Sequence, residues 1–122
     1  MSDTAVLVVK NQGFFPVAVR LADGRLAAVL RGGAPHIGLA GRLDIVFSTD
    51  DGRTWTAPSL VVDGPLDDRN PAFGQAADGA LVVGYWECGY YDASGQWAPS
   101  APNAKARTLA TRSTDGGKSW TT

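Results

Sequence analysis

Side chains able to do chemistry fall into a few short stretches of this sequence. The single histidine is His36, and the runs D-D-R at 67–69 and E-C-G-Y-Y at 87–91 bring together carboxylates, a guanidinium and phenols. A guanidinium holds a carboxylate with two parallel hydrogen bonds, and a histidine donates or accepts a proton near neutral pH. The sequence lacks the spacing of a zinc site, a phosphate loop or a Ser-His-Asp triad, so we expect neither a metal nor a cofactor.

The charge balance restricts the class of partner. Eleven Lys and Arg are scattered among twelve Asp and Glu, which gives a formal net charge of -1. No basic stripe of the kind that binds nucleic acid results. No stretch is long and apolar enough to span a membrane, and the start lacks a signal-peptide pattern, which favours a cytoplasmic protein. The single cysteine, Cys88, excludes an intramolecular disulfide, and we expect it to be a small buried hydrophobic residue.

An internal repeat organises the chain and places these residues. The segment Phe14–Leu26 realigns on Arg69–Leu81 at a shift of 55 residues, and Ser48–Thr56 realigns on Ser113–Thr121 at a shift of 65. The second unit therefore carries ten extra residues. The Gly, Pro and Ser content of positions 86–103 predicts that they form a long surface loop.

Each unit consists of short apolar runs separated by turn residues, which predicts an all-β fold. The predicted strands are Phe15–Leu21, Arg25–Arg31, Arg42–Ser48 and Ser59–Val62 in the first unit, and Pro71–Ala76, Ala80–Trp86 and Arg107–Ser113 in the second. A further predicted strand, Ala5–Val9, lies where the repeat requires a fourth strand. The predicted order along the chain is therefore 4, 1, 2, 3, 4, 1, 2, 3.

Two segments share the pattern S-x-D-x-G-x-[ST]-W. The shared positions are Ser48, Asp50, Gly52 and Trp55 in the first unit, and Ser113, Asp115, Gly117 and Trp120 in the second. The carboxylate suits the backbone N–H groups of a turn, glycine permits a positive φ, and the indole is an apolar clamp. In this pattern, and in P-x-x-x-x-x-x-D-G-x-L before it, the chain resembles the Asp-box (BNR-repeat) proteins, the sialidase-like six-bladed β-propellers. The resemblance implies that the box is structural rather than catalytic.

The resemblance implies two four-stranded blades, the first at about 14–63 and the second at about 69–122, with strand 5–9 supplying a missing fourth strand. Two blades do not close a six-bladed ring, and bare strand edges invite pairing. Head-to-tail association of three copies closes such a ring and predicts a homo-oligomer. The alternative is that the chain is part of a longer propeller.

Strand parity places the chemically interesting loops together. Antiparallel strands put the connections between strands 2 and 3, and between strands 4 and 1, at one end of the blades. We call this end the loop face; it is predicted to contain residues 10–14, 32–41, 64–70 and 87–106. It carries His36, Asp67, Asp68, Arg69, Glu87, Tyr90, Tyr91 and Trp97, with Arg31 at its rim.

Sialidases resemble this chain at an Arg-Ile-Pro motif whose arginine clamps the substrate carboxylate. The second unit has R-N-P, which makes Arg69 the first site candidate, whereas the first unit has Phe14 at that position. The alternative is that Arg69 pairs with Asp67 or Asp68 in a surface network. The predicted substrate-binding residues are Arg31, His36, Asp67, Asp68, Arg69 and Tyr91, and the catalytic candidates are His36, Asp68 and Glu87.

The family nucleophile is a tyrosine from a later blade, so the role is not assigned to Tyr90 or Tyr91. The resemblance favours a sialidase-like (neuraminidase) propeller that recognises acidic glycans such as sialosides. Hydrolysis by an exo-alpha-sialidase type of glycoside hydrolase is one hypothesis. A non-catalytic carbohydrate-binding module and a scaffold without a small ligand are the alternatives.

Overall fold

The computed structural model describes residues 5–121 and contains seven β-strands. They are β1 (Phe14–Arg20), β2 (Leu26–Gly32), β3 (Arg42–Ser48), β4 (Ser59–Val62), β5 (Asp67–Gln75), β6 (Leu81–Cys88) and β7 (Ala106–Ser113). The first sheet has the order β1-β2-β3-β4 and the second β5-β6-β7, and all the ladders are antiparallel. The all-β prediction is confirmed, and residues 5–121 contain no helix that is long and apolar enough to cross a membrane.

The first sheet follows the hydrophobic pattern of its strands. β2 and β3 are mainly apolar and are buried along most of their length, as central strands are. The hairpin between β1 and β2 is closed by a hydrogen bond from the amide of Leu21 to the carbonyl of Arg25 (2.8 Å), and Gly24 in its turn has φ 93°. The structure gives β3 and β4 the predicted bounds, and it shifts β1 and β2 by one residue.

The strand β5 begins at Asp67, four residues before the predicted start at Pro71. Its register with β6 shifts between Arg69 and Ala72, so Asn70 and Pro71 form a bulge. Proline has no N–H to donate, but pairing resumes on the far side of such a bulge. The prediction that residues 64–70 form a loop is therefore wrong for 67–70, which belong to the strand.

The bulge is repeated in β1, where the register shifts between Phe14 and Val17. Phe15 and Asn70, which are equivalent at the 55-residue shift, both have positive φ (56° and 49°), and each precedes a proline. Asparagine tolerates this left-handed conformation, whereas for phenylalanine it is strained. The repeat is therefore preserved in backbone conformation even where the side chains differ.

The predicted strand Ala5–Val9 is not a strand in the single chain. Its residues Val8 and Val9 pack against Leu30 and Val46 on one face of the first sheet. The segment thus buries apolar side chains on a sheet face instead of extending the ladder at a sheet edge. The prediction that residues 5–9 supply the fourth strand of a second blade therefore requires a neighbouring three-stranded blade to which this segment can add.

The main core lies between the two sheets. Its largest group is contributed by Ala27, Val29, Leu43, Ile45 and Val61 of the first sheet and Leu81, Val83 and Tyr85 of the second. Trp120 of the second Asp box packs against this core. A smaller cluster, Ala28, Leu30 and Val46, lies on the other face of the first sheet and is contacted by Trp55. Cys88 is fully buried, as predicted.

Hydrogen bonds within the first Asp box stabilise its turn. The carboxylate of Asp50 accepts hydrogen bonds from the amide of Thr54 (2.8 Å) and from its hydroxyl (2.6 Å). The Ser48 hydroxyl donates to Asp50 and accepts from the amide of Gly52 (2.8 Å). These bonds, those from Thr54 foremost, lower the pKa of Asp50 to about 2.

The second box repeats this arrangement. Asp115 accepts from the amide of Ser119 (2.9 Å), and the amide of Gly117 donates to the Ser113 hydroxyl (2.8 Å). The bonds from Ser119 hold the pKa of Asp115 well below its usual range. Gly117 has φ 91°, and a Cβ placed there would lie 2.9 Å from the ring of Phe47.

Candidate functional site

Four of the predicted substrate-binding residues meet in one buried network. Arg31 from β2 and Asp67 from β5 form an ion pair in which both side chains are fully buried. Arg69 from β5 pairs with the other oxygen of Asp67 at 3.1 Å, and the hydroxyl of Tyr91 donates to that same oxygen at 2.5 Å. The structure therefore brings together residues from three separate parts of the sequence around one carboxylate.

Arg31 uses its donors within the protein. Its Nε donates to the carbonyl of Pro35 (3.0 Å), Nη2 to that of Gly38 (3.1 Å) and Nη1 to that of Asp68 (3.0 Å), besides its bond to Asp67. Arg31 lies near the end of β2, where it was predicted, but its side chain is 0% exposed. Its guanidinium ties the β2–β3 loop to the beginning of β5.

Arg69 lies in an aromatic enclosure. Its guanidinium carbon is 5.7 Å from the ring of Phe15, 5.8 Å from that of Trp86 and 5.9 Å from that of Trp97. Its Nη1 donates to the carbonyl of His36 at 2.6 Å, while its buried Nε has no hydrogen-bond partner among residues 5–121. The pairing with Asp67 is present but buried, so it is not the surface network considered as the alternative.

Tyr91 is held in its protonated form. Its oxygen accepts a hydrogen bond from the amide of Gly38 (3.0 Å) and donates to Asp67. Burial first, and then the bond to Asp67, raise the pKa of Tyr91 to about 12. A phenol that donates to a buried carboxylate does not act as an anionic nucleophile, which agrees with leaving that role unassigned.

His36 occupies an exposed position in the β2–β3 loop. Its ring contacts Phe15 edge-on, with centroids 5.2 Å apart, and stacks beside Phe14 at 6.4 Å. Phe14 and Trp97 are themselves 41% and 39% exposed. The loop face thus presents flat aromatic surfaces next to an imidazole.

Asp68 and Glu87 form a second group of carboxylates. Oδ2 of Asp68 accepts from the amide of Gly64 at 2.8 Å, while its buried Oδ1 has no partner among the described residues. A Cβ on Gly64 would lie 3.4 Å from both Asp68 Oδ1 and Glu87 Oε2, so both oxygens flank that glycine. Burial, with the charge of Glu87 adding to it, raises the pKa of Asp68 to about 6. Glu87 in turn accepts two hydrogen bonds from Arg107 (3.0 and 2.8 Å).

The three catalytic candidates do not form one constellation. Within residues 5–121, no hydrogen bond or ion pair joins His36 to Asp68 or to Glu87. The carboxylates flank Gly64, whereas the imidazole rests on the phenylalanine pair. General acid catalysis by His36 together with either carboxylate therefore lacks support from a direct contact.

Sequence reasoning missed one polar cavity on the loop face. It has a volume of about 480 Å³, and its polar lining side chains are Asn11, Gln12 and Arg42. The sequence predicts Arg42 as the first residue of a strand and Asn11 and Gln12 as part of a loop. The repeat offered a signal, because Arg42 and Arg107 coincide at the 65-residue shift.

Comparison with known proteins bears on the fold. No protein-family model matches the chain, and no curated protein matches it. The crystal structure of a protein of unknown function from Dyadobacter fermentans is similar, with a TM-score of 0.76 and 25% sequence identity. The similarity covers 96% of this chain and 38% of that one, so this chain spans well under half the length of that relative. Nearly the whole β architecture described above therefore recurs within a longer protein.

Proposed function

We propose that this chain is a segment of a sialidase-like propeller that binds acidic glycans, sialosides among them, through its loop face. Arg69 carries the proposal. It lies at the position where the resemblance has a carboxylate-clamping arginine, and its Nη2 makes no hydrogen bond among residues 5–121. A guanidinium with a free donor is suited to a carboxylate ligand.

Exposed rings beside Arg69 support a sugar ligand. The Trp97 ring lies 5.9 Å from the guanidinium carbon of Arg69 and is 39% exposed, and the imidazole of His36 is exposed nearby. Aromatic faces pack against apolar faces of a ligand while polar groups fix its orientation. Stacking on Trp97 with hydrogen bonding to His36 is the arrangement we expect for the bound sugar.

Binding is favoured over hydrolysis for this chain. A glycosidase needs a proton donor and a nucleophile on either side of one bond. His36 makes no hydrogen bond or ion pair with Asp68 or Glu87, and the Tyr91 hydroxyl donates its hydrogen bond to Asp67. Exo-alpha-sialidase activity is the second candidate, and it rests on the raised pKa of Asp68, which suits a general acid.

Calorimetric titration with sialyllactose and with lactose tests the proposal. We expect Arg69→Lys to weaken sialyllactose binding by about tenfold, because one ammonium group does not replace the guanidinium fork. Trp97→Ala should weaken the binding of both sugars. Arg112→Lys is the matched control, since Arg112 is an exposed residue that pairs with Asp78 outside the loop face. Equal affinity for sialyllactose in the parent and in Arg69→Lys would refute the carboxylate clamp. Turnover of a fluorogenic sialoside would favour the sialidase activity over binding without hydrolysis.

We also propose that further blades cover both outer faces of this chain. At the 55-residue shift, the core residues Val83 and Tyr85 correspond to Ala28 and Leu30. The second-sheet face that packs on the first sheet is therefore equivalent to the first-sheet face that carries Trp55. In the single chain this face is contacted by the segment at 5–9.

The complementary surface is the outer face of the second sheet. It is lined by small side chains, among them Ala72, Gly74, Val82 and Gly84. For this chain, a second copy is the partner that offers the equivalent surface. Head-to-tail docking of three copies then completes six blades.

A further inference from the structure

The cavity at Arg42 lies on the loop face but contains none of the residues that hold Arg69. Its volume of about 480 Å³ falls within the range of small-ligand sites. The polar side chains Asn11, Gln12 and Arg42 line it, and Phe14 and residues 33–35 form the rest of its wall. It therefore combines a cation, two amides and an aromatic ring.

Arg42 offers an unused edge of its guanidinium. Its Nε donates to both oxygens of Asp44, at 3.1 and 3.2 Å, and Asp44 is buried. Neither Nη1 nor Nη2 makes a hydrogen bond within the described part of the chain, and the side chain is 37% exposed. Asp44 fixes the orientation of the group, and the hydrogen bond between them raises the pKa of Arg42. The two free nitrogens form the pair of donors that binds a carboxylate end-on.

The other walls suit a sugar ring. Phe14 is 41% exposed and provides a flat apolar surface. The amides of Asn11 and Gln12 supply donors and acceptors of the kind that recognise hydroxyl groups. Gly32 allows Gln12 Oε1 and Asp44 Oδ2 to approach the backbone closely, because a Cβ there would lie 2.7 Å from both oxygens.

The second repeat provides an internal comparison. Arg107, equivalent to Arg42, also uses its Nε on a carboxylate, that of Glu87, and it lines a cavity of about 390 Å³. Its side chain remains 63% exposed although the second sheet is packed against the first. The arginine position therefore stays accessible when a neighbouring sheet is in place. The amides and the aromatic ring are replaced there by Leu66, Asp67 and Arg69, so the sugar-binding walls are specific to the first repeat.

We infer that the cavity at Arg42 is a separate subsite for an acidic monosaccharide unit, whose carboxylate pairs with the guanidinium while its ring lies on Phe14. This subsite goes beyond the site at Arg69, and it does not require Arg69 to contact a ligand. A uronic acid or a nine-carbon acidic sugar fits the chemistry of the walls. A neutral hexose lacks the group that Arg42 recognises.

Titration of the folded chain with glucuronate, N-acetylneuraminate and glucose, followed by NMR shifts, tests the inference. We expect the parent to bind the two acids and to bind glucose at least tenfold more weakly. Arg42→Met should abolish the NMR shifts that the two acids cause at Asn11 and Gln12, whether or not an acid still binds at Arg69. Phe14→Ala should weaken the binding of all three sugars at this cavity. Thermal melts establish that each variant is folded.

Two controls separate this subsite from the other proposals. Arg107→Met removes the equivalent guanidinium, and we expect it to leave glucuronate binding unchanged. Arg69→Lys should also leave the Arg42 cavity able to bind glucuronate. The inference is overturned if the parent binds neither acid, if Arg42→Met binds them as the parent does, or if Arg107→Met causes the same loss. Loss of acid binding in Arg69→Lys with none in Arg42→Met would support the Arg69 clamp and refute this subsite.

Discussion

The guanidinium of Arg31 and the carboxylate of Asp67 form a fully buried ion pair that joins the first sheet to the second. Arg31 lies near the end of β2, and Asp67 is the first residue of β5. Four carbonyl and carboxylate groups surround this arginine, and Arg69 and Tyr91 share its partner. Removing one member of such a pair leaves the other as an uncompensated buried charge.

We expect Arg31→Met to lower the free energy of unfolding by about 3 kcal/mol or more, because Asp67 loses part of its compensation. Urea denaturation provides the measurement. The double variant Arg31→Met/Asp67→Leu should recover part of the loss. Arg20→Met is the control: its pair with Asp51 is exposed on both sides, and we expect a change of about 0.5 kcal/mol or less. Similar losses in both single variants would show that the buried pair has no special role.

Asp115→Ala should lower the melting temperature by several degrees, because the amides of Lys118 and Ser119 lose their acceptor. Sugar binding should be unaffected, since the Asp box lies at the end of the sheets opposite the loop face. Asp63→Ala serves as the control, as it removes an exposed acidic loop residue. An unchanged melting temperature combined with lost sugar binding would place the binding site at the Asp-box end of the sheets and not at the loop face.

The two consecutive glycines of the second Asp box should respond differently to substitution. Gly117→Ala places a Cβ 2.9 Å from the Phe47 ring at φ 91°, so we expect a loss of about 2 kcal/mol in the free energy of unfolding. Gly116→Asp should be milder, because Asp51 occupies the equivalent position of the first box with φ 59° and no atom lies within 4 Å of a Cβ on Gly116. Chemical denaturation of both variants checks the ranking, which the reverse order would contradict.

Asp68 should make the stability depend on pH. Burial raises its pKa from 3.8 to about 6, so the folded state binds this proton more tightly than the unfolded chain does. The resulting stabilisation is fully present below the unfolded value and is lost as the pH rises through about 6. The Asp68→Asn variant lacks this dependence. Between pH 4 and 6.5 the melting temperature of the parent should therefore fall relative to that of the variant.

Thermal unfolding across that range, with Asp63→Asn as the control for removal of a nearby charge, tests this expectation. Asp63, Glu87 and Asp67 all contribute to the local field at Asp68. A constant difference between the parent and Asp68→Asn over the whole range would mean that Asp68 titrates as it does in the unfolded chain.

Light scattering should give a mass of three times 12.8 kDa if three copies close the ring. Deletion of residues 1–10 should dissociate this species, because the segment at 5–9 is the expected fourth strand of a neighbouring blade. Val82→Asp should do the same, since it places a charge on the outer face of the second sheet. A stable monomer of the parent at high concentration would contradict assembly from copies and leave a longer chain as the source of the remaining blades.

The sequence by itself determined the features that depend on short-range contacts. Each Asp box lies within nine residues, and its bonds, such as the one from the Thr54 amide to Asp50, span four. The alternation of apolar runs and glycine turns likewise predicted β3 and β4 with their observed bounds. Local interactions of this kind can be predicted from the sequence because the interacting groups are neighbours along the chain.

Tertiary structure decided which polar residues meet and which are sealed from solvent. Arg31 and Asp67 are 36 residues apart, and no local pattern indicates that they share a buried network. The start of β5 at Asp67 depends on a bulge that lets β6 pair across Pro71. The cavity at Arg42 is lined by this arginine together with residues of the loop before β1 and of the loop after β2, which are about 20 residues apart in the sequence. Burial and charge arise from packing between distant segments, so residue types and spacing alone specify neither.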